Sequence, residues 1–151
     1  MQVKIKLSVS DDCFEEISRL LTEHGIEIDD DAELILIQRD RYPDHLAVRD
    51  RRGDKAVIAT DDIVTIESYG HTIELHTLSG VFTASQQLYR FEEMLDPKKF
   101  IRISNSVIIS RAQIQSISPT FSMKFTLKMK NGDKVDVTRS YYGRFKEFLG
   151  I

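Results

Sequence analysis

Met123-Lys124-Phe125-Thr126-Leu127-Lys128-Met129-Lys130 alternates apolar and polar residues, Asn131-Gly132 interrupts the alternation, and Val135-Asp136-Val137-Thr138 resumes it. A period of two places Phe125, Leu127 and Met129 on one face of a strand and the lysines on the other. Asn-Gly accepts the positive φ angles of a tight turn at little steric cost, so the stretch predicts a β-hairpin with one buried face.

Short strands dominate upstream of the hairpin. Alternation or short apolar runs predict strands over Leu46–Arg49, Ala56–Thr60, Ile63–Glu67, Thr72–His76 and Val81–Ala84, then Phe100–Ser104, Val107–Ile109 and Ile114–Ile117. Two helices punctuate this half. Ser85 caps the first, with Leu88, Phe91 and Leu95 on one face and Asp96-Pro97 as its stop. Ser140 caps the second, with Tyr141, Phe145, Phe148 and Leu149 turned inward.

The first 44 residues read differently. Residues 3–9 alternate as a strand, and Ser10 caps a helix whose first turn carries Asp11 and Asp12. Phe14, Ile17, Leu20 and Leu21 form its apolar face, and His24-Gly25 ends it. Glu27 to Glu33 reads as an acidic linker, Leu34–Ile37 as a short strand, and Asp40 to Asp44 as a turn around Tyr42-Pro43. The expected organisation is a small α/β extension over residues 1–44 and a mainly β domain over 45–151.

The chain has 151 residues, 41% of them hydrophobic, which suffices for a buried core and excludes a disordered chain. The single cysteine, Cys13, excludes an internal disulfide and fits a reducing, cytoplasmic setting. It sits in the first turn of a helix without a partner base, so a small apolar core residue is its expected role. No apolar run approaches the roughly 20 residues needed to span a bilayer.

Charge is segregated along the chain. Residues 1–60 hold nine Lys/Arg against fourteen Asp/Glu, whereas residues 98–151 hold eleven Lys/Arg against three Asp/Glu. A basic C-terminal third suits an anionic partner, and a solvated basic surface would look the same by charge alone.

Catalytic constellations are weak. The seven glycines are scattered, so no phosphate-cradling loop stands out. No nucleophile–base pair or carboxylate pair has a useful spacing, so an enzyme is not expected. His71, Glu74 and His76 have the composition of metal ligands, but an odd spacing between the histidines directs them to opposite faces of a regular strand. Neither a metal nor a cofactor is expected.

Three polar interruptions beside strand ends remain: Ser68-Tyr69-Gly70-His71, Ser104-Asn105-Ser106 and Thr138-Arg139-Ser140. Arginine can donate a bidentate pair to guanine, asparagine can pair with adenine, and histidine can donate to a base acceptor. The third also precedes a helix N-terminus, which favours a phosphate. Ordinary turns use serine and asparagine as well.

Three motifs then acquire a common reading. Asp61-Asp62-Ile63-Val64-Thr65-Ile66-Glu67-Ser68 with His71 resembles the opening signature of the LytTR family. Phe100-Ile101-Arg102-Ile103-Ser104-Asn105-Ser106-Val107-Ile108-Ile109 is similar to its central stretch. Leu127-Lys128-Met129-Lys130-Asn131-Gly132, followed by Val137-Thr138-Arg139-Ser140-Tyr141, resembles its closing hairpin and helix start. The likeness covers about residues 45–151.

The resemblance implies a mainly β LytTR-like domain with short helices that places loops in successive major grooves of double-stranded DNA. It implies base reading by His71, Asn105 and Arg139, flanked by Gly70, Ser106, Thr138, Ser140 and Tyr141. Lys98, Lys99, Arg102 and Arg144 are candidate phosphate neutralisers from charge alone. The residues ahead of the domain are too few for a receiver domain, so a standalone, response-regulator-like transcriptional regulator is expected. Loop readers touch few bases each, so a homodimer on paired repeat sites is expected, and the resemblance further implies an inhibitory membrane-protein partner. A β-rich module that binds an acidic protein or a small anion is the alternative.

Overall fold

The computed structural model describes residues 2–39 and 42–151. The chain divides into two compact units, Met1–Arg41 and Tyr42–Ile151. The turn expected over Asp40–Asp44 falls partly on Asp40 and Arg41, which lie outside the described residues. No helix among the described residues is long and apolar enough to cross a membrane.

The first unit contains β1 (Val3–Ser8), α1 (Asp11–Glu23), β2 (Ile26–Ile28) and β3 (Leu34–Ile37). Its strands form a parallel sheet in the order β2-β1-β3. Parallel neighbours need a crossover, and α1 supplies the one between β1 and β2. The start of the expected acidic linker is therefore a strand, with Val3 opposite Ile26 and Ile5 opposite Ile28. Three residues carry too little alternation to signal it.

The apolar face expected of Phe14, Ile17, Leu20 and Leu21 lies on α1, yet no residue of the helix is buried, and Phe14 and Leu20 are exposed. Ser10 stands at the N-cap in extended conformation, but its side chain makes no capping bond; its Oγ lies 3.2 Å from Cys13 Sγ. Cys13 is half-buried rather than a core residue.

The second unit begins with β4 (His45–Arg49), β5 (Lys55–Ala59), β6 (Ile63–Tyr69), β7 (Thr72–Thr77) and β8 (Val81–Ala84). After α2 (Leu88–Met94) come β9 (Phe100–Arg102) and β10 (Val107–Ser110). These strands make one antiparallel sheet of order β5-β4-β8-β7-β6-β10-β9. Next, β11 (Ile114–Pro119), β12 (Phe125–Met129) and β13 (Lys134–Val137) form a three-stranded sheet, and α3 (Tyr142–Leu149) closes the chain. The quoted hairpin is β12–β13, with Leu127 opposite Val135 and Gly132 at φ +93° in its turn.

The larger sheet is buried on both faces at its β6–β10 centre. On one face Ile66 and Ile108 pack with Leu88, Phe91 and Leu95 from α2 and the residue after it. On the other, Val64 and Ile109 pack with Phe125, Leu127, Met129, Val137 and Phe145. Double coverage explains why Ile63-Val64-Thr65-Ile66 and Val107-Ile108-Ile109 read as near-continuous apolar runs.

Single 3-10 turns at Thr60–Asp62, Arg111–Gln113 and Arg139–Tyr141 were not foreseen, because one turn has no periodicity. They shift the expected caps. The last helix starts at Tyr142 behind the third of these turns, with Tyr141 rather than Ser140 as its N-cap. Likewise α2 starts at Leu88 behind Gln87, not behind Ser85.

Candidate nucleic-acid interface

Three connections at strand ends are neighbours through hydrogen bonds. Tyr69 ends β6, and Gly70 and His71 make the β6–β7 turn; Gly70 has φ +59°, a conformation that costs other residues strain. Beside it, the Ser68 N–H donates to the Ser106 carbonyl at 2.8 Å, tying this turn to the β9–β10 connection. The Thr138 N–H donates to the Ile103 carbonyl at 3.0 Å and ties that connection to the turn before α3. Tyr141 adds a second link, its hydroxyl lying 3.3 Å from Asn105 Oδ1.

The middle connection is braced from below. Ser104 is buried, and its Oγ accepts the Ser106 N–H at 3.2 Å. Arg102 donates through Nε to the Ser104 carbonyl at 3.1 Å and through Nη2 to the Asn105 carbonyl. Its Nη1 pairs with Glu92 of α2 at 3.1 Å. This guanidinium joins a loop to a helix instead of standing free in solvent. Sequence reasoning missed the Glu92 and Tyr141 contacts, since only the fold brings those partners together.

His71, Asn105, Ser106, Arg139 and Ser140 are exposed, and Thr138 and Tyr141 are half-buried. Among the described residues, His71 and Arg139 make no side-chain hydrogen bond or ion pair, and both are free to meet a ligand. Asn105 Oδ1 keeps one lone pair beside the one Tyr141 uses, and its amide nitrogen keeps both protons. Arg144 is exposed, and its guanidinium lies 4.7 Å from the centre of the Tyr141 ring.

Not every expected residue joins this cluster. Lys98 and Lys99 precede Phe100 at the far end of β9, seven and six residues of chain from Asn105, or up to roughly 20 Å for Lys99. Lys99 there lies 3.7 Å from Asp61. Tyr69 is exposed, but its hydroxyl donates to Glu67. That bond, with partial burial and the nearby carboxylates of Glu67, Glu74 and Asp133, pushes the phenol up to about 12. Tyr69 therefore stays neutral throughout the physiological range.

The arrangement is three polar tips at neighbouring strand ends, offering exposed hydrogen-bond donors and acceptors. Residues 54–150 match the family model described as the LytTr DNA-binding domain. The chain is 28% identical over 95 residues to the sensory transduction protein LytR of Staphylococcus saprophyticus, covering 63% of this chain and 37% of that protein. It is 30% identical over 95 residues to the sensory transduction protein LytT of Bacillus subtilis, covering 63% and 39%. The matched region thus spans less than two fifths of the length of these relatives. Among solved structures, the LytTr DNA-binding domain of a response regulator from Bacillus cereus superposes with a TM-score of 0.68 at 25% identity, covering 72% of this chain and 99% of that one.

Proposed function

The chain belongs to the LytTR DNA-binding domain family, and we propose that it is a transcriptional regulator whose three turns read successive major grooves of a specific duplex. In this reading His71, Asn105 and Arg139 contact base edges. Gly70 and Ser106 allow close approach, while Thr138, Ser140 and Tyr141 carry the third turn and its contacts. Arg144 neutralises phosphate beside Tyr141, and Arg102 holds the middle turn in shape. Lys98 and Lys99 serve only if the duplex extends along β9. Release of counterions from neutralised phosphates supplies affinity without sequence preference, and the base contacts supply discrimination.

The observation that carries this reading is Asn105. Its backbone is held by Arg102 and its side-chain oxygen by Tyr141, while the neighbouring turns leave His71 and Arg139 exposed. Holding it this way lowers the ordering cost that a free loop would meet on binding.

Each turn touches few bases, so two copies on spaced repeats would bind far better than one. We assign the dimer contact to the first unit. There α1 leaves Phe14 and Leu20 exposed, and all four residues of the edge strand β3, Leu34 to Ile37, are exposed. An open apolar edge strand is a template for pairing with another strand.

Competition binding on a selected and a scrambled duplex tests the function. Intact protein should prefer the selected duplex by about 10³-fold or more. Arg139→Ala should cost about 1–3 kcal/mol on the selected duplex and little on the scrambled one. Equal loss on both would reassign Arg139 to a phosphate. Equal affinity for both by the intact protein would leave a binder of acidic proteins or small anions in place of a regulator.

A further inference from the structure

Glu67 of β6, Glu74 of β7 and Asp133 of the β12–β13 turn surround His76 of β7. Nδ1 of His76 lies 2.9 Å from Asp133 Oδ2. Nε2 lies 3.0 Å from Glu74 Oε1 and 3.5 Å from Glu67 Oε2. Glu67 and His76 are largely withdrawn from water, with side chains 12% and 17% exposed. Among the described residues, no lysine or arginine pairs with any of these three carboxylates.

Nε2 of His76 and the oxygens of two glutamates converge on one point, while Nδ1 lies against Asp133. A divalent ion seated there would give all three donor atoms a common partner and offset the like charges of the neighbouring carboxylates.

We infer that Glu67, Glu74 and His76 form a site for a first-row divalent cation of the zinc or manganese type, bound by His76 Nε2 and one oxygen from each glutamate. Their donor atoms all lie within 4.8 Å of one another. Neighbouring ligands of tetrahedral zinc stand about 3.3 Å apart, so a small rotation of the half-exposed Glu74 closes the triangle. One imidazole nitrogen with two carboxylate oxygens suits such ions better than soft Cu(I).

The shell around the donors fits the same reading. Metal-bound histidine usually donates its other N–H to a carboxylate, and Asp133 occupies that place. Asp133 is itself fixed, accepting from Asn131 Nδ2 at 2.9 Å and donating its backbone N–H to Asn131 Oδ1 at 3.0 Å. Tyr69 donates to Glu67 and orients that carboxylate in turn. Glu67 and Glu74 are cross-strand partners, and His76 follows Glu74 on the same face of β7. The sequence pairing of His71 with His76 hid this set, because the third ligand comes from the neighbouring strand. An ion here would clamp the β6–β7 hairpin to the β12–β13 turn through His76 and Asp133.

The test uses the full chain, stripped of metal, in calorimetric titration with Zn²⁺ and Mn²⁺ and in thermal melting with and without each ion. One ion per chain, bound in the micromolar range or tighter, with a raised Tm is expected. Glu74→Gln, checked for folding by circular dichroism, should abolish binding, and His76→Gln should do the same. Asp133→Asn should weaken binding by about 10–100-fold at unchanged stoichiometry. His71→Gln and Cys13→Ser should leave binding unchanged, which separates this site from adventitious capture. Affinity no better than millimolar, binding that survives Glu74→Gln, or binding lost in Cys13→Ser or His71→Gln would overturn the assignment. None of these measurements involves DNA, so their outcome is independent of the proposed regulator function.

Discussion

Arg102 directs its guanidinium into the chain rather than toward a ligand. It bonds the carbonyls of Ser104 and Asn105 and the Glu92 carboxylate, a three-way fork that lysine cannot reproduce. Arg102→Lys keeps the charge but loses the fork. Specific binding should fall by about 1.5–3 kcal/mol, while binding to scrambled duplex and its salt dependence stay constant. Unchanged specific binding in a fluorescence titration would return Arg102 to the role its charge suggested, a plain phosphate contact. This residue marks the limit of reading roles from type. That Asn105 and Arg139 carry suitable chemistry was legible from their polar surroundings. That Arg102 braces one of them was not, because Glu92 sits on a helix that only the fold brings near.

At the scale of elements, α3 and the β12–β13 hairpin set the position of the third turn. Phe145 is fully buried, 5.4 Å from the Phe125 ring, while Tyr142 stacks on Phe125 at 4.9 Å. Phe145→Ala removes a large side chain from a closed core and should cost about 3–5 kcal/mol in urea unfolding. That is a large part of a typical domain's 5–15 kcal/mol. Phe148→Ala, at a half-buried position, should cost clearly less. Equal losses would mean that α3 does not dock through Phe145. The hairpin was legible because alternation and Asn-Gly agree, and the α2 face because Leu88, Phe91 and Leu95 recur at helical spacing. Strand β2 and the three 3-10 turns were not, since three residues complete no period. The displaced helix start at Tyr142 follows from the same blindness, since the Arg139–Tyr141 turn stands in front of it.

For the whole molecule, the sequence carries the segregation of charge but not its place in space. Lys98, Lys99 and Arg144 belong to one basic segment, yet the two lysines precede β9 while Arg144 stands beside Tyr141. The acidic first unit likewise reads as a strand-and-helix pattern without revealing that Phe14, Leu20 and Leu34 to Ile37 stay exposed. If β3 and α1 form the dimer contact, light scattering should give the mass of two chains for the intact protein and of one after deletion of residues 1–41. An unchanged oligomer would move the contact to the second unit. The central claim, that three neighbouring turns read bases, is tested most directly by selecting bound duplexes from a random pool with intact protein and with Asn105→Ala. The intact protein should enrich a motif repeated at a spacing near one or more helical turns, about 10–10.5 base pairs each. Asn105→Ala should enrich the same motif with one position relaxed. No enrichment by the intact protein, or an identical motif at full stringency from the variant, would contradict it.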